Sequence, residues 1–181
     1  MKRNFQKMLI AAAVLSACSS QQSENNTSAE VVVAYVTTTE AASDLKKMLW
    51  LQGSWKGLYN GKPFYEAWHV LNDSMLMNYE IKITDTDTLI KESGSIHSRG
   101  ENFFYGTESV NWKLSTMTPN ELVFKNFSLP YSQTILWKHT DEDHWYTKLS
   151  HPNTATAEYD LIRQPELDAY VITKIKGITN K

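Results

Sequence analysis

Two glutamates lie among apolar neighbours in segments whose polarity alternates as it does in β-strands. Glu66 shares a strand face with Trp68, and Glu92 shares one with Ile90 and Ile96. Burial of a carboxylate disfavours its charged form and raises its pKa. The two side chains therefore suit the orientation of a ligand's polar head or, as an alternative, general acid and base chemistry. A third interpretation is that each carboxylate has only a structural partner.

The other residue types indicate no catalytic or metal chemistry. The five histidines form no HxH or HExxH spacing, so the sequence predicts no metal site. It contains no nucleophile elbow and no phosphate-binding loop. We therefore expect no catalytic residue and no cofactor, and the sequence favours a protein that is not an enzyme.

The single cysteine, Cys18, ends a segment typical of a secretory signal. Basic residues at positions 2, 3 and 7 precede a short apolar run, Met8–Leu15, and small residues follow. The run LSAC that ends at Cys18 resembles a bacterial lipobox, in which the chain is cut before the cysteine and the thiol is acylated. The alternative is an ordinary signal peptide with an incidental cysteine. We expect residues 1–17 to be removed and Cys18 to carry a lipid anchor.

The residues after the cysteine bear on location and partners. Ser19 and Ser20 follow it, and the absence of lysine or aspartate there favours the outer membrane by resemblance to bacterial sorting signals, with the periplasmic face expected. Removing residues 1–17 takes away three of the 18 basic residues and none of the 20 acidic ones, so the mature net charge is −5. Nucleic acid is not an expected partner, because no basic stripe is present. The expected partners are the membrane, through the lipid, and a small apolar ligand.

Composition divides the mature chain into three parts. Residues 18–42 begin with a polar stretch that cannot bury enough surface to fold, and they are predicted to form a flexible tether. Within them, Val31–Val36 is either a tether segment with β propensity or a strand that adds to the edge of the domain. Residues 43–163 hold all six tryptophans and form the predicted domain. Residues 164–181 are predicted to be a separate tail.

Strand and turn signals dominate the domain. Ser43 is a candidate N-cap for a short helix, in which Leu45, Met48 and Leu49 repeat at helical spacing. Turn residues such as Asn60-Gly61 then separate ten candidate strands. These strands are 54–60, 62–72, 75–84, 87–98, 101–107, 110–118, 121–128, 132–140, 143–150 and 155–163. A sheet of this size with one buried face tends to close, because open edges invite aggregation. The predicted fold is all-β, an antiparallel barrel of about ten strands with a short N-terminal helix.

Large aromatic side chains are predicted to line the interior of this barrel. Met77, Tyr79 and Ile81 share the apolar side of the third strand, and Asn78 and Glu80 share its polar side. An interior of this kind either binds an apolar or amphipathic ligand or is filled by its own side chains. With the two glutamates, the candidate ligand-binding residues are Trp55, Glu66, Trp68, Tyr79, Glu92, Trp112, Phe124 and Trp137.

Three motifs resemble a known family. The run that starts at Trp50, WLxGxWxG, resembles the opening of lipocalin-like and fatty-acid-binding-like barrels, and Glu66-x-Trp68 fits their next strand. The run 124–137, FKNFSLPYSQTILW, is similar to the FENPxHDFPQRIxY motif of a family of small bacterial lipocalin-like domains of unknown function, many of them lipoproteins. Its matching residues are Phe124, Asn126, Gln133 and Ile135, and the closing arginine of the family has a counterpart in Arg163.

The resemblance covers residues 45–163 and implies a barrel with an internal ligand. It carries over no catalytic role, because the family's His-Asp pair falls on Leu129 and Pro130. Related ten-stranded barrels bind haem through one histidine, which leaves His69 or His151 open as a haem ligand. The sequence thus predicts a lipid-anchored envelope protein whose barrel binds a small ligand. The alternative is a non-enzymatic interaction module with a filled barrel.

Overall fold

The structure is a computed structural model, and it describes residues 44–107, 109–153 and 155–179. Cys18, the signal segment, the tether with Val31–Val36, and Ser43 lie outside the described residues. Within the described part of the chain, no helix combines the length and the apolar character needed to cross a membrane.

Ten antiparallel strands form a closed barrel in which each strand pairs with its neighbours in sequence and the last pairs with the first. The strands are β1 (Gly53–Tyr59), β2 (Lys62–Asn72), β3 (Met75–Ile83), β4 (Thr88–Arg99), β5 (Asn102–Gly106), β6 (Asn111–Thr118), β7 (Glu121–Lys125), β8 (Thr134–Asp141), β9 (His144–Ser150) and β10 (Ala157–Arg163). The predicted fold class is confirmed. Every strand end lies within three residues of its predicted position, since the turns carry strong local signals. At the first turn Asn60 and Gly61 have φ values of 51° and 75°, as a two-residue hairpin requires.

The N-terminal segment 44–51 covers one end of the barrel. It consists of a helical turn over 44–46 and a 3-10 turn, Leu49–Leu51. Its apolar side chains Leu45, Met48 and Leu51 are buried in the same core as the interior of the barrel. The indole Nε1–H of Trp55 donates a 2.7 Å hydrogen bond to the Leu51 carbonyl oxygen, which ties the segment to β1. The short N-terminal helix is thereby confirmed. We name the end of the barrel that this segment covers the closed end.

The predicted tail contains a helix, α1 (Pro165–Thr179), that packs on the outer face of the barrel. The sequence analysis assigned no element there, although the signals are present. Proline occupies the first helical position, Glu166 and Asp168 lie in the first turn, and Lys176 lies in the last. Val171 and Ile175 are buried against side chains of the outer sheet face, so α1 shares a core with the domain.

Arg163 joins β10, β1 and α1. Its guanidinium donates to the Ser54 carbonyl oxygen and, through two nitrogens, to both carboxylate oxygens of Asp168, the shorter bond being 2.6 Å. It also lies 5.3 Å from the ring centroid of Trp55. Although burial opposes it, hydrogen bonds from Arg163 and Ser54 hold the pKa of Asp168 below its usual value. Gly53 has a φ of +116°, and a Cβ there would lie 2.0 Å from the guanidinium. The arginine therefore packs directly on the glycine backbone.

Helix α1 overturns one prediction about the interior. Tyr79 was expected to line the barrel, but it lies on the outer face with Ile81, covered by Val171 and Ile175 of α1. The polar side of β3 faces inward instead: Asn78 is buried, while Leu76 next to it on that face belongs to the interior core. A helix over the outer face makes β3 apolar on both sides, and alternation then no longer shows which side is inside.

A bulge overturns a second prediction. Glu92 was grouped with Ile96 on an inward face. In the structure, the register between β3 and β4 shifts by one residue: Asn78 pairs with Gly94, but the next residue, Tyr79, pairs with Glu92. The extra residue, Ser93, reverses the alternation along β4. Glu92 consequently shares the outer face with Tyr79, and its side chain is exposed.

Candidate functional site

The interior is filled with aromatic rings towards the closed end. Trp137 is the centre of this packing, with ring centroids 4.7 Å from Tyr105, 5.1 Å from Phe124, 5.3 Å from Trp68 and 5.6 Å from Trp145. All four contacts are edge-to-face, an arrangement that aromatic quadrupoles prefer. This part of the barrel is core, and it has the close packing of a protein interior.

Interior side chains remain partly exposed towards the opposite end. We name this end the mouth and define it by half-buried residues that pack against the interior core: Phe64, Tyr105, Leu114, Tyr131, Leu149 and Tyr159. All are apolar or aromatic, and they come from five strands and the β7–β8 loop. The interior thus changes from closed packing to half-buried apolar side chains along the barrel axis. Small-molecule sites are usually lined by apolar and aromatic side chains of this kind.

Glu66 lies at the base of the mouth. Its Cα partner across β1 is Trp55, and its carboxylate accepts a 2.9 Å hydrogen bond from the indole Nε1–H of Trp68 on the same inward face. The side chain is half-buried. Burial raises the pKa of Glu66 to about 7, against the opposing effects of Trp68 and Asn78. Burial, together with the charge of Glu66, also raises the pKa of Tyr105, which places the two side chains close together.

Asn78 is the second polar group of the interior. It is 3% exposed, and its Cα partner on β2 is Trp68, so it is a diagonal neighbour of Glu66 on the same face. Its side chain lies beside the Glu66 carboxyl group and, as a hydrogen-bond donor to it, lowers the pKa of Glu66. The base of the mouth therefore combines a carboxyl group with a buried amide.

The β7–β8 loop, residues 126–133, is held in place beside the mouth. The Asn126 side chain donates to the Asn111 carbonyl oxygen at 2.7 Å, and the Gln133 side chain donates to the carbonyl oxygens of Phe127 and Leu129. The indole of Trp112 donates to the Ser132 carbonyl oxygen at 2.7 Å. These bonds place Leu129 and Tyr131 against the interior core. Asn126 and Gln133, two matching residues of the family motif, thus shape the loop.

Six of the eight predicted ligand-binding residues line the interior, and two do not. The interior ones are Trp55, Glu66, Trp68, Trp112, Phe124 and Trp137. Tyr79 and Glu92 lie outside, as described above. Glu66 and Glu92 therefore do not face each other, and the proposed acid–base pair between them is not formed. The sequence analysis missed Asn78, which it assigned to the solvent side, and Tyr105, which carried no signal beyond a short apolar strand.

One of the two histidines left open as haem ligands lies on the outer face. His69 alternates with Trp68 and faces outward, where it borders a small cleft beneath α1 with Val171. It is therefore not positioned to hold a haem inside the barrel. His151 lies in the β9–β10 loop, and its Nδ1 accepts a hydrogen bond from the Asn153 N–H. Among the described residues, no group of three or more His, Cys, Asp or Glu side chains could hold a metal ion.

An outer groove of about 400 Å³ lies across β3, β4 and β5. Glu92 and Arg99 border it, and His97 is buried in its wall, where Ser95 Oγ lies 3.1 Å from the His97 Nδ1. Burial and the charge of Arg99 lower the pKa of His97, so the ring is neutral near pH 7. This groove lies on the outer surface of the barrel and is separate from the mouth, which is the candidate site.

Replacing Glu66 with Gln is expected to change how stability depends on pH. The pKa of Glu66 is about 7 in the folded protein, whereas the ordinary pKa of a glutamate is 4.5. Between pH 4.5 and pH 7, Glu66 ionises in the unfolded chain but keeps its proton in the folded protein. The free energy of unfolding therefore falls as pH rises and levels off above pH 7. The loss is about 3 kcal/mol. Gln keeps an acceptor for Trp68 without this loss. Urea unfolding at pH 4.5 and pH 8 should show this decline in the parent protein and its absence in Glu66→Gln; equal declines would contradict the assignment.

Comparisons with models of protein families, with curated proteins and with solved structures found no significant match to this chain.

Proposed function

We propose that this chain is a lipid-anchored protein of the bacterial cell envelope whose barrel holds a small apolar or amphipathic ligand in the mouth. We place it, by resemblance, with the small lipocalin-like lipoproteins and at the periplasmic face of the outer membrane. One observation carries the ligand-binding part of the proposal. Glu66 is a carboxyl group in the interior of the barrel, at the base of an apolar wall, and burial raises its pKa to about 7.

The energetic cost of that carboxyl group supports a binding role. Glu66 lowers the free energy of unfolding by about 3 kcal/mol at neutral pH. In a filled barrel, an apolar residue would pack at this position without that loss. Polar groups of this kind are common where a site is built to meet a ligand. The buried amide of Asn78 beside it is a second polar group in the interior.

Binding of the neutral apolar dye Nile red tests this proposal. Leu149 is a half-buried mouth residue on the inward side of β9, and Leu149→Trp should fill the mouth and weaken dye binding at least about tenfold. The adjacent Lys148 is on the opposite face of the strand, so Lys148→Trp is the matched control and should leave the affinity within about twofold. Leu114→Trp is a second mouth variant if the first does not fold. Dye binding that none of these variants changes would contradict a site in the mouth.

The alternative function is an interaction module with a filled barrel. The close ring packing around Trp137 favours it, since that half of the interior has no room for a ligand. The two functions differ in the mouth. A module of this kind would bind no apolar probe there and would act through its surface.

The lipid anchor is tested separately by Cys18→Ser. The lipobox resemblance predicts that the variant loses its acyl chains, and stable anchoring needs at least two lipid or electrostatic attachments. We expect the parent protein to sediment with membranes after a high-salt wash and Cys18→Ser to appear in the soluble fraction. Ser19→Ala is the control and should stay with the membranes. Membrane retention of Cys18→Ser would show that another part of the chain is the anchor.

A further inference from the structure

The three most exposed large apolar side chains of the described residues surround the mouth. Phe127 is 71% exposed, Leu58 57% and Leu89 53%. Phe127 lies in the β7–β8 loop, and Leu58 and Leu89 lie in the parts of β1 and β4 nearest the mouth. Around the closed ring, three steps separate β1 from β4, β4 from β7, and β8 from β1. We name these three residues the rim. Side chains spaced evenly around a ring can all contact one flat surface.

We propose that the rim rests on a phospholipid bilayer, so that the mouth faces the membrane. This inference rests on the proposed lipid anchor and adds the orientation of the barrel. Single exposed apolar residues are common on protein surfaces, but several at one end of a domain mark an interaction site. In this orientation an apolar ligand passes between the bilayer and the mouth without crossing water.

The predicted tether is long enough for this orientation. The domain begins at the closed end, so the tether has to run the height of the barrel before the lipid on Cys18 reaches the membrane. The longest strand, β4, has 12 residues and is about 40 Å long, and the tilt of barrel strands reduces the height to about 30 Å. A flexible chain as long as residues 18–42 has a mean end-to-end distance of about 25–30 Å and an extended length of about 85 Å. The anchor therefore keeps the rim within reach of the bilayer.

Charge disfavours the opposite end as the membrane contact. The hairpin turns of the closed end are residues 73–74, 99–101, 119–120 and 141–143. Together they contain five acidic residues and one basic residue. The negative surface of an anionic leaflet repels such an end. The segments around the rim residues, 58–62, 83–89 and 126–133, contain two acidic residues and one basic residue. Contact at the rim therefore depends on apolar side chains rather than on charge.

Quenching of a fluorescent label by doxyl lipids tests the orientation on the lipidated full chain in phosphatidylcholine nanodiscs, with one protein in each disc. Cys18 is the only native cysteine and is acylated, so an introduced thiol is labelled selectively. We expect a label at Leu89→Cys, on the rim, to be quenched. The same label at Leu71→Cys, a leucine at the closed end that is 46% exposed, should not be quenched. Leu58→Cys is a second rim position if Leu89→Cys does not fold.

A second substitution in the Leu89→Cys protein tests the role of the apolar side chains. Phe127→Ser removes the most exposed of them and should lower the ratio of membrane-facing to water-facing protein about tenfold. Leu71→Ser is the control and should leave that ratio within about twofold.

The outcomes separate the inference from the proposed function. Equal quenching at residues 71 and 89, or stronger quenching at residue 71, would overturn the rim as the membrane contact and leave the anchor and the ligand site standing. Quenching that rises with added phosphatidylglycerol and does not respond to Phe127→Ser would also overturn it, because charge would then make the contact. Absence of the parent protein from the discs would overturn the inference together with the proposed anchor.

Discussion

Trp137→Ala is expected to lower the free energy of unfolding by about 3–5 kcal/mol, the range measured when large buried aromatic residues are truncated. Its indole is 4% exposed and contacts the rings of Trp68, Tyr105, Phe124 and Trp145. Removing it leaves a cavity at the junction of the closed core and the mouth. The four surrounding rings cannot all move into that space, because each is held by other contacts.

Urea denaturation followed by far-ultraviolet circular dichroism measures this loss. Leu136→Ala is the matched control, because Leu136 is the preceding residue of β8, faces outward and is partly exposed. It should cost less than about 1 kcal/mol, the usual limit for sites away from the core. Equal losses for the two variants would show that the interior is not packed as described.

Gly53→Ala is expected to cost at least about 3 kcal/mol, for two reasons. Residue 53 has a φ of +116°, a conformation that L-residues other than glycine rarely adopt, and that strain alone costs about 1–3 kcal/mol. The new methyl group would also overlap the Arg163 guanidinium, whose nearest atom is 2.0 Å from the position of a Cβ. Arg163 would have to move and would lose its bonds to Ser54 and Asp168.

Gly100→Ala separates these two reasons. Gly100 also has a positive φ, +62°, but nothing lies within 4 Å of its Cβ position. Its substitution should therefore cost only about 1–2 kcal/mol, the price of a left-handed conformation. Thermal unfolding of both variants measures the difference. A cost at Gly53 no greater than that at Gly100 would mean that Arg163 does not pack on the glycine.

The strands and the closed barrel follow from local signals in the sequence. Turns such as Asn60-Gly61 mark where strands end, and period-two alternation marks which segments are half-buried. In β6, Trp112 faces inward as predicted. The largest error in a strand end is at β7, which ends at Lys125 and not at residue 128, where the β7–β8 loop has already begun. Hydrogen bonds to Asn111 and from Trp112, which are distant in sequence, hold this loop, and no local pattern reveals them.

The composition of the site was predicted less well, because it depends on which face of a strand is inside. Alternation correctly placed Glu66 and Trp68 together on one face of β2, and the structure shows that this face is the inward one. It misplaced Tyr79 and Asn78, because α1 supplies a second apolar environment on the outside of the barrel. It misplaced Glu92, because a bulge in β4 has no clear sequence signature. Both errors come from tertiary features that override the period-two pattern.

The most direct test of ligand binding in the mouth is native mass spectrometry of the full chain, purified from envelope membranes in mild detergent. We predict one extra mass, present in stoichiometric amount, that is lost on denaturation and is strongly reduced in Leu149→Trp but kept in Lys148→Trp. A clean mass without ligand in all three proteins, together with no uptake from an envelope lipid extract, would contradict the proposal and favour the interaction module.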